Sequence, residues 1–424
     1  MQFKKKLLGA GIALALGVAG TASATTGYAP HGIGMKSKGM GGVAIAKARD
    51  AVAGGMNPAN MAWLGNRIDF GLDLFRPIRE GSMDLTPAPN PFNGNYSANG
   101  TKLFAIPEFG YNMVLDDTMS FGVSVFGNGG MNTDYTTPIP AFGTTKAGVD
   151  LAQMFVVPSL SYKIDENNAI GIGLNLVVQA FEASGLQNFD NPIYSSSPGN
   201  VTNNGHDVSY GAGIRVGWSG KVAPGVRLGA TYQTRTYMTE FDDYKGLFAE
   251  QGDFDVPSNW GIGVEFDVTP DLTVGLDFMR INYTDIASIS NPNPTGGQLG
   301  ADNGPGFGWK DQNVFKLGLS YKAKSNLVLR GGFVYGTQVI PSSQVLFNFL
   351  APATVQKHLT LGATYTLDNG GELTFSYMHA FSKSITGPVG IDTDNPPNGI
   401  PNFSGTGTIK MYQDSFGVAY GWKF

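Results

Sequence analysis

The chain has 424 residues, with 28 Lys and Arg against 33 Asp and Glu, and a formal net charge of −5. Charged residues make up 14% of it, against about 25% in an average soluble domain. The absence of cysteine excludes a disulfide scaffold and any thiolate centre for catalysis or metal binding. The slightly acidic balance argues against a nucleic-acid partner, and the apolar content argues against a disordered chain.

Residues 1–24 have the pattern of a secretory signal peptide. Three lysines at positions 4–6 precede an apolar run over 7–20, and Ala22-Ser23-Ala24 supplies the small residues of a cleavage site. The apolar run is shorter than the roughly 20 residues of a membrane-spanning helix. No later stretch is longer, so we expect a mature protein that is periplasmic, secreted or an outer-membrane β-barrel.

Residues 25–65 break the strand pattern of the rest of the chain. Glycine and alanine dominate the run from Gly39 to Gly55, and Asn57-Pro58-Ala59 follows it. Asn57 can cap a short helix in which Pro58 is the first residue. A compact segment of this kind before the first strand predicts an N-terminal hatch or plug inside a barrel, with lumen-facing glycines making room for it. A disordered leader is the alternative.

From residue 66 onwards, apolar residues alternate with small or polar ones. In 169–180, for example, every second residue is Ile, Leu or Val, with Gly, Asn and Gln between them; this period of two is typical of strands. Six short turns and seven long loops connect such segments, which predicts about fourteen strands over 66–424 and places both chain ends on the short-turn side. The predicted long loops are 78–100, 128–150, 184–205, 239–256, 285–310, 337–356 and 387–406.

Three features favour a membrane barrel over a soluble sandwich. The predicted strands of about 9–12 residues are long enough to cross a bilayer when tilted, and aromatic residues lie near the ends of the apolar faces, as interfacial girdles do. The last strand ends on Phe424, which resembles the signal read by the outer-membrane assembly machinery. We therefore predict an all-β, transmembrane antiparallel β-barrel of about 14 strands in the outer membrane of a Gram-negative bacterium. Its expected partners are outer-membrane lipid, lipopolysaccharide and that assembly machinery.

Several blocks together resemble the long-chain fatty-acid transporter (FadL-type) family of outer-membrane proteins, which includes aromatic-hydrocarbon uptake channels. The run from Gly39 to Gly42 and Asn57-Pro58-Ala59 resemble the hatch of that family. Pro257-Ser258-Asn259-Trp260 and Gly308-Trp309-Lys310-Asp311 resemble the starts of two of its strands. The resemblance extends over essentially the whole mature chain.

The resemblance implies a passive channel for hydrophobic compounds. The ligand, a long-chain fatty acid or an aromatic hydrocarbon, would be captured outside, reach a pocket, and leave after a hatch movement or through a gap in the wall. Asn57, Pro58 and Ala59 would belong to the hatch or gate. Tyr28, Trp309 and Lys310 would bind the ligand, with Lys310 meeting a carboxylate. The strand expected to supply a second basic residue, 177–181, has no Arg or Lys. A neutral hydrocarbon is therefore an alternative ligand.

Other functions are less well supported by the sequence. A general porin would have many facing charges and no hatch, whereas the predicted lumen face is rich in glycine with scattered charges, among them Arg215 and Lys316. A lipid hydrolase would need Ser376 and His379 to meet, but strand parity puts them on opposite faces. The four histidines (His31, His206, His358 and His379) show no metal spacing, and the loop acids Asp392 and Asp394 are expected to be solvated, with calcium binding as the alternative. We therefore predict no enzyme, no cofactor and no metal.

Overall fold

A computed structural model describes residues 25–391 and 402–424. The predicted signal peptide, residues 1–24, and the loop acids Asp392 and Asp394 lie outside the described residues.

Sixteen strands are present in the described part of the chain. They are β1 (Arg67–Thr86), β2 (Gly94–Ser97), β3 (Phe104–Val114), β4 (Met119–Asp134), β5 (Gly148–Lys163), β6 (Asn168–Ser184), β7 (Asp207–Ala223), β8 (Val226–Gln233), β9 (Tyr237–Met238), β10 (Asn259–Asp267), β11 (Leu272–Ile281), β12 (Gln312–Lys324), β13 (Leu327–Gly336), β14 (Lys357–Thr366), β15 (Glu372–Ile391) and β16 (Phe403–Lys423).

Fourteen of these strands form one closed antiparallel barrel. β2 pairs only with β1 and β9 only with β7, while each of the fourteen others pairs with two barrel strands. The first and last strands close the ring in a register that runs from Arg67 opposite Lys423 to Thr86 opposite Ser404. Closure removes every sheet edge, which a bilayer demands because it offers no hydrogen-bond partners. The predicted fold class and strand count are confirmed.

The wall carries its apolar side chains on the outside. Ile170, Ile172, Leu174 and Leu176 of β6 are all exposed, and the residues between them point into the barrel. In a soluble sandwich this face would be the buried core, whereas in a membrane barrel it meets lipid tails. The alternation that predicted the strands is therefore the alternation between lipid and lumen.

Short turns and long loops alternate around the barrel as predicted. Helical turns occur within the N-terminal segment and the long loops, and none of the described helices has the length and apolar character needed to cross a membrane. The helical turns are Met35–Lys38, Val52–Gly55, Pro58–Trp63, Gln187–Phe189, Asp242–Tyr244, Ala249–Gly252, Tyr283–Asp285, Ala287–Ser290, Ser342–Gln344 and Phe347–Phe349.

Three predicted loops were wrong at their boundaries, because the neighbouring strands are much longer than 9–12 residues. β1, β15 and β16 have 20, 20 and 21 residues, and β4 also runs beyond its predicted end, to Asp134. In β1 the apolar side chains change sides: Leu72 and Leu74 point outward, whereas Met83 and Leu85 are buried inside. The part of β1 that extends beyond the membrane has its outer face in water. Its apolar side chains therefore point into the barrel.

Candidate functional site

The N-terminal segment, residues 25–65, packs against the inner face of the barrel wall. Its backbone lies so close to wall glycines that no side chain fits between them. A methyl group on Gly171 would sit 2.4 Å from the Ala59 nitrogen, and one on Gly332 would sit 2.2 Å from the Gly41 nitrogen. Glycine at these two wall positions is required by the close approach of the two backbones.

Carboxylates of the wall accept hydrogen bonds from the backbone of this segment. Asp277 on β11 accepts from the N–H groups of Ala44 and Ile45 at 2.9 and 3.1 Å. Glu108 on β3 accepts from the Met35 N–H at 2.9 Å. All five residues are buried, so each bond satisfies a donor that water does not reach.

Ion pairs add to this attachment. The Lys38 ammonium lies 2.9 Å from Asp73 and 3.6 Å from Glu108, and the Arg49 guanidinium lies 2.5 Å from Glu265. Burial opposes the charge of Lys38, but the two carboxylates outweigh it and raise the pKa of that ammonium. The segment is therefore bound to the wall by charges that compensate each other within the barrel.

Asn57 has the local structure that the sequence predicted. Its backbone is extended, its Oδ1 accepts from the Ala59 N–H at 3.1 Å, and Pro58 is the first residue of the helical turn that follows. Its Nδ2 donates to the carbonyl of Ile45 at 2.8 Å and to that of Trp218, on β7, at 3.0 Å. The capping residue thus joins two parts of the segment and the wall. Its gating role stays a prediction.

One cavity, called here the inner cavity, lies between the start of the N-terminal segment and the upper ends of the strands. Its free volume is about 40 Å³. Its lining is apolar apart from two cationic side chains and a few polar groups. The lining includes Tyr28, Ile33, Arg215, Met279, Tyr283 and Lys316.

Two further cavities lie closer to the long loops. The outer cavity, of about 30 Å³, is lined mainly by aromatic and aliphatic residues of the long loops, among them Phe142, Phe189, Phe248, Phe307 and Leu350. The third cavity, of about 20 Å³, is lined by Phe75, Arg79, Met131, Trp309 and Met411, among others. Each has an apolar lining of the kind that holds small hydrophobic ligands.

An aromatic cluster connects residues that line the three cavities. The Tyr283 ring lies 5.4 Å from the Tyr28 ring and 5.3 Å from the Trp309 ring, and Phe307 lies 6.1 Å from Trp309. Tyr28 and Tyr283 line the inner cavity, Trp309 the third and Phe307 the outer. The predicted ligand-binding residues Tyr28 and Trp309 are therefore neighbours, with ring centroids 6.3 Å apart.

Lys310 lies apart from that cluster. Its side chain is exposed, and it lines none of the three cavities. Its backbone N–H donates to Val339 at 2.8 Å. The neighbouring Asp311 pairs with Arg280 at 2.6 Å rather than with Lys310. The contact between Lys310 and a ligand carboxylate stays a prediction.

The wall is irregular beside the inner cavity. The β4–β5 register shifts between Gly127 and Gly129, and Asn128, at the bulge, lines the inner cavity. The Gly130 N–H donates to the Tyr28 carbonyl at 3.1 Å. A bulge leaves one residue out of the ladder, so hydrogen bonding between strands is locally interrupted where the wall borders the inner cavity.

Ser376 and His379 lie on opposite faces of β15, as strand parity predicted. Ser376 is buried against Met35 inside the barrel. His379 is half-exposed, and its Nδ1 lies 2.9 Å from Asp414. The two side chains do not form a nucleophile–base pair.

Sequence reasoning missed several residues that line the cavities. It placed Arg215 and Lys316 on the lumen face by strand parity but gave them no role in a site. It assigned nothing to Arg79, Tyr283 or the loop phenylalanines. Parity was the available signal for the two strand cations, whereas the loop residues come together only through tertiary packing.

Together, the closed barrel, its apolar outer face and the N-terminal segment packed against its inner wall define a class, the membrane β-barrels that hold their own N-terminal segment in the lumen. The profile of the family described as "Outer membrane protein transport protein (OMPP1/FadL/TodX)" matches residues 17–388. The chain belongs to this family, and the outer membrane is its location. No curated protein sequence matches it.

Solved structures show the same fold at low sequence identity. The toluene transporter TodX of P. putida is 17% identical, with a TM-score of 0.67 over 93% of this chain and 99% of TodX. A FadL homologue from Pseudomonas aeruginosa is 14% identical, with a TM-score of 0.72 over 94% of this chain and 100% of the homologue. The toluene transporter TbuX of Ralstonia pickettii is 17% identical, with a TM-score of 0.63 over 93% and 99% of the two chains.

Proposed function

We propose that this protein is a passive channel, without enzymatic activity, that carries hydrophobic compounds across the outer membrane. The observation that carries the proposal is the set of three largely apolar cavities whose linings are connected by a chain of contacting aromatic rings. A hydrophobic molecule gains no binding free energy in a water-filled pore, whereas an apolar cavity removes the surface of the molecule from water. Long-chain fatty acids and monoaromatic hydrocarbons are the candidate ligands, since the solved relatives include toluene transporters and a FadL homologue.

The route we propose begins at the outer cavity between the long loops. The ligand then passes the aromatic cluster into the inner cavity. It leaves either after movement of the N-terminal segment, which would act as a hatch through Asn57, Pro58 and Ala59, or sideways at the β4 bulge beside Asn128. The wall contacts of the segment support a closed resting state.

Two further partners belong to the proposal. Lipopolysaccharide and lipid would surround the apolar outer face. The assembly machinery would recognise the exposed Phe424 ring, which stacks on Tyr111 with centroids 5.9 Å apart.

The experiment compares uptake by cells with and without the protein. We expect faster uptake of labelled oleate or toluene and unchanged uptake of a polar sugar of similar mass. Faster sugar uptake would indicate a general porin instead, and unchanged uptake of both hydrophobic compounds would refute the proposal.

A deletion separates the roles of wall and segment. Removing residues 25–60 should leave a folded barrel, because the wall closes through its own ladder hydrogen bonds. That barrel should conduct small ions and lose selective uptake of the hydrophobic compound. A deleted protein that inserts, stays closed to ions and transports normally would identify the segment as a leader only.

A further inference from the structure

Three cations lie on one side of the outer face of the barrel wall. Arg76 on β1, Lys357 on β14 and Lys410 on β16 are all exposed, and strand parity places them on the face that meets lipid. Leu74 and Leu359, the preceding outward residues towards the short-turn side on β1 and β14, are exposed apolar side chains. The cations therefore border the apolar band of the wall at its outer edge. We call the surface formed by these three cations the basic face.

The strand register shows that the basic face is continuous. β14, β15, β16 and β1 are neighbours in the barrel, and Lys410 is opposite Glu80 of β1. Neighbouring strands lie about 4.8 Å apart, so the surface from Lys357 to Arg76 spans about 14 Å in the hydrogen-bonding direction. Lys and Arg side chains are long and flexible, with the charge at the tip. The three charges therefore reach a single bound molecule.

Two cations of the basic face, Arg76 and Lys357, have no acidic partner within the described chain. Asp414 is opposite Arg76 in the strand register, but its carboxylate lies 2.9 Å from Nδ1 of His379. Among the described residues, no carboxylate forms an ion pair with Arg76 or with Lys357. Both charges are open to an anion from outside the chain, at the level where lipid tails give way to headgroups.

Lys410 has an acidic partner that holds it weakly. Its ammonium lies 3.5 Å from Glu80, and the two side chains are 45% and 55% exposed. An ion pair this exposed contributes little, because water and salt screen both charges. A phosphate group competes with Glu80 for this ammonium, so Lys410 adds to the positive charge at Arg76 and Lys357.

The charge of the outer rim differs from one side of the barrel to the other. At the outer ends of β5 and β6 lie two carboxylates, Asp150 and Glu182, which pair with His206 at 3.0 and 2.9 Å. Like charges repel, so an anionic headgroup is disfavoured beside these acids. The charge distribution therefore directs an anionic lipid to β14, β15, β16 and β1.

We propose that the basic face binds the phosphorylated head of lipopolysaccharide, whose acyl chains lie on the apolar band beside it. The phosphate oxygens contact Arg76, Lys357 and Lys410. A guanidinium binds phosphate through two parallel hydrogen bonds, and an ammonium supplies a point charge; basic residues at headgroup level attract anionic lipids. This inference rests on the proposed lipopolysaccharide partner, and it does not depend on which compound passes through the barrel.

The test measures binding of lipid A, the acylated disaccharide anchor of lipopolysaccharide, to the purified full chain in a non-ionic detergent by native mass spectrometry. One form of lipid A carries both phosphates, and the other has the same acyl chains and no phosphate. Wild type should bind the phosphorylated form more than about tenfold more tightly, because each surface cation contributes about fivefold. The triple variant Arg76→Gln, Lys357→Gln, Lys410→Gln should lose that preference and keep its affinity for the dephosphorylated form.

The matched control removes the same charge from the short-turn rim, through Lys322→Gln, Lys324→Gln and Lys423→Gln, three lysines that are also exposed. This variant should keep the preference of wild type. Heat-modifiable migration on gels checks that each variant is a folded barrel. Inorganic phosphate at the concentration of the lipid should not displace it, because the acyl chains also contact the wall.

Three results would overturn the inference. They are equal affinity of wild type for the two forms of lipid A, a preference that the control variant loses while the variant of the basic face keeps it, and displacement of the lipid by inorganic phosphate. None of them bears on the uptake of oleate or toluene by cells, which tests the proposed function separately.

Discussion

The side-chain amide of Asn57 donates to the backbone carbonyl of Trp218 at 3.0 Å, which joins the N-terminal segment to barrel strand β7. Asn57 is fully buried, and the same amide also holds the Ile45 carbonyl. One side chain therefore contributes both to the shape of the segment and to its attachment to the wall. Asparagine does this because it offers an acceptor for the cap and two donors on one short side chain.

Replacing Asn57 with alanine should loosen the segment while the barrel stays closed. Loss of the cap costs about 1 kcal/mol, and each buried carbonyl left without a donor costs about 1–3 kcal/mol. We expect higher and more variable ion conductance in planar bilayers, with unchanged heat-modifiable migration. Asn167→Ala, in an exposed turn, is the control. A conductance equal to wild type would show that Asn57 does not hold the segment in place.

Two adjacent glycines of β13 provide a matched pair. A methyl group on Gly332 would lie 2.2 Å from the Gly41 nitrogen, whereas one on Gly331 would have only the Thr360 carbonyl, at 3.8 Å, within contact distance. Gly332→Ala should therefore displace the segment and raise ion conductance, and Gly331→Ala should do neither. Limited proteolysis of residues 25–65 provides a second readout. Identical behaviour of the two variants would mean that the segment does not press on the wall at this point.

His206 joins two strand ends at the outer rim, and we expect it to make their stability depend on pH. Its ring lies 3.0 Å from Asp150 and 2.9 Å from Glu182, and joins the outer ends of β5 and β6. The hydrogen bond with Asp150 raises the pKa of His206 against the opposing effect of partial burial, and the charge of Glu182 adds to the rise. Because the folded pKa is raised, the stabilisation is complete below the unfolded value of about 6.5 and is lost as the pH rises through the folded pKa.

Hydrogen exchange at these strand ends tests whether their stability falls as the pH rises. After correction for the intrinsic exchange rate, protection of residues 182–207 should fall between pH 6 and pH 8.5 in wild type. His206→Ala should give low protection that does not change with pH. Protection that increases with pH in wild type would contradict the assigned direction.

The sequence predicted the wall well because the physical demand on it is simple. Every strand must show an apolar residue to lipid at each second position, so the alternation in Ile170 to Leu176 can be read directly. The same reading failed where β1 leaves the membrane, because Leu74 and Met83 are apolar on opposite faces. When the apolar residues move to the other face of a strand, the alternation on the first face ends. The rest of the strand then has the pattern of a loop.

The site was less predictable because it depends on contacts between distant segments. Phe181, at the outer end of β6, packs on Phe248 with ring centroids 4.6 Å apart. No local sequence pattern predicts that contact. Strand parity gives the direction in which Arg215 points, but not its partners, which among the described residues are the Met56 carbonyl and Gln233 and include no acid. Those contacts depend on the neighbouring strand β8 and the N-terminal segment together.

Lys310 is the residue on which the resemblance and the structure differ most, and its role is directly testable. The resemblance predicts that its ammonium meets a ligand carboxylate, whereas its side chain is exposed and Asp311 is already paired with Arg280. We expect Lys310→Ala to weaken oleate and oleyl alcohol binding equally, by less than about 1 kcal/mol, the size of a solvated surface charge effect. Glu250→Ala, another exposed loop residue, controls for a change of surface charge. A loss of about tenfold or more for oleate alone would place Lys310 at the carboxylate and would require its loop to close over the ligand.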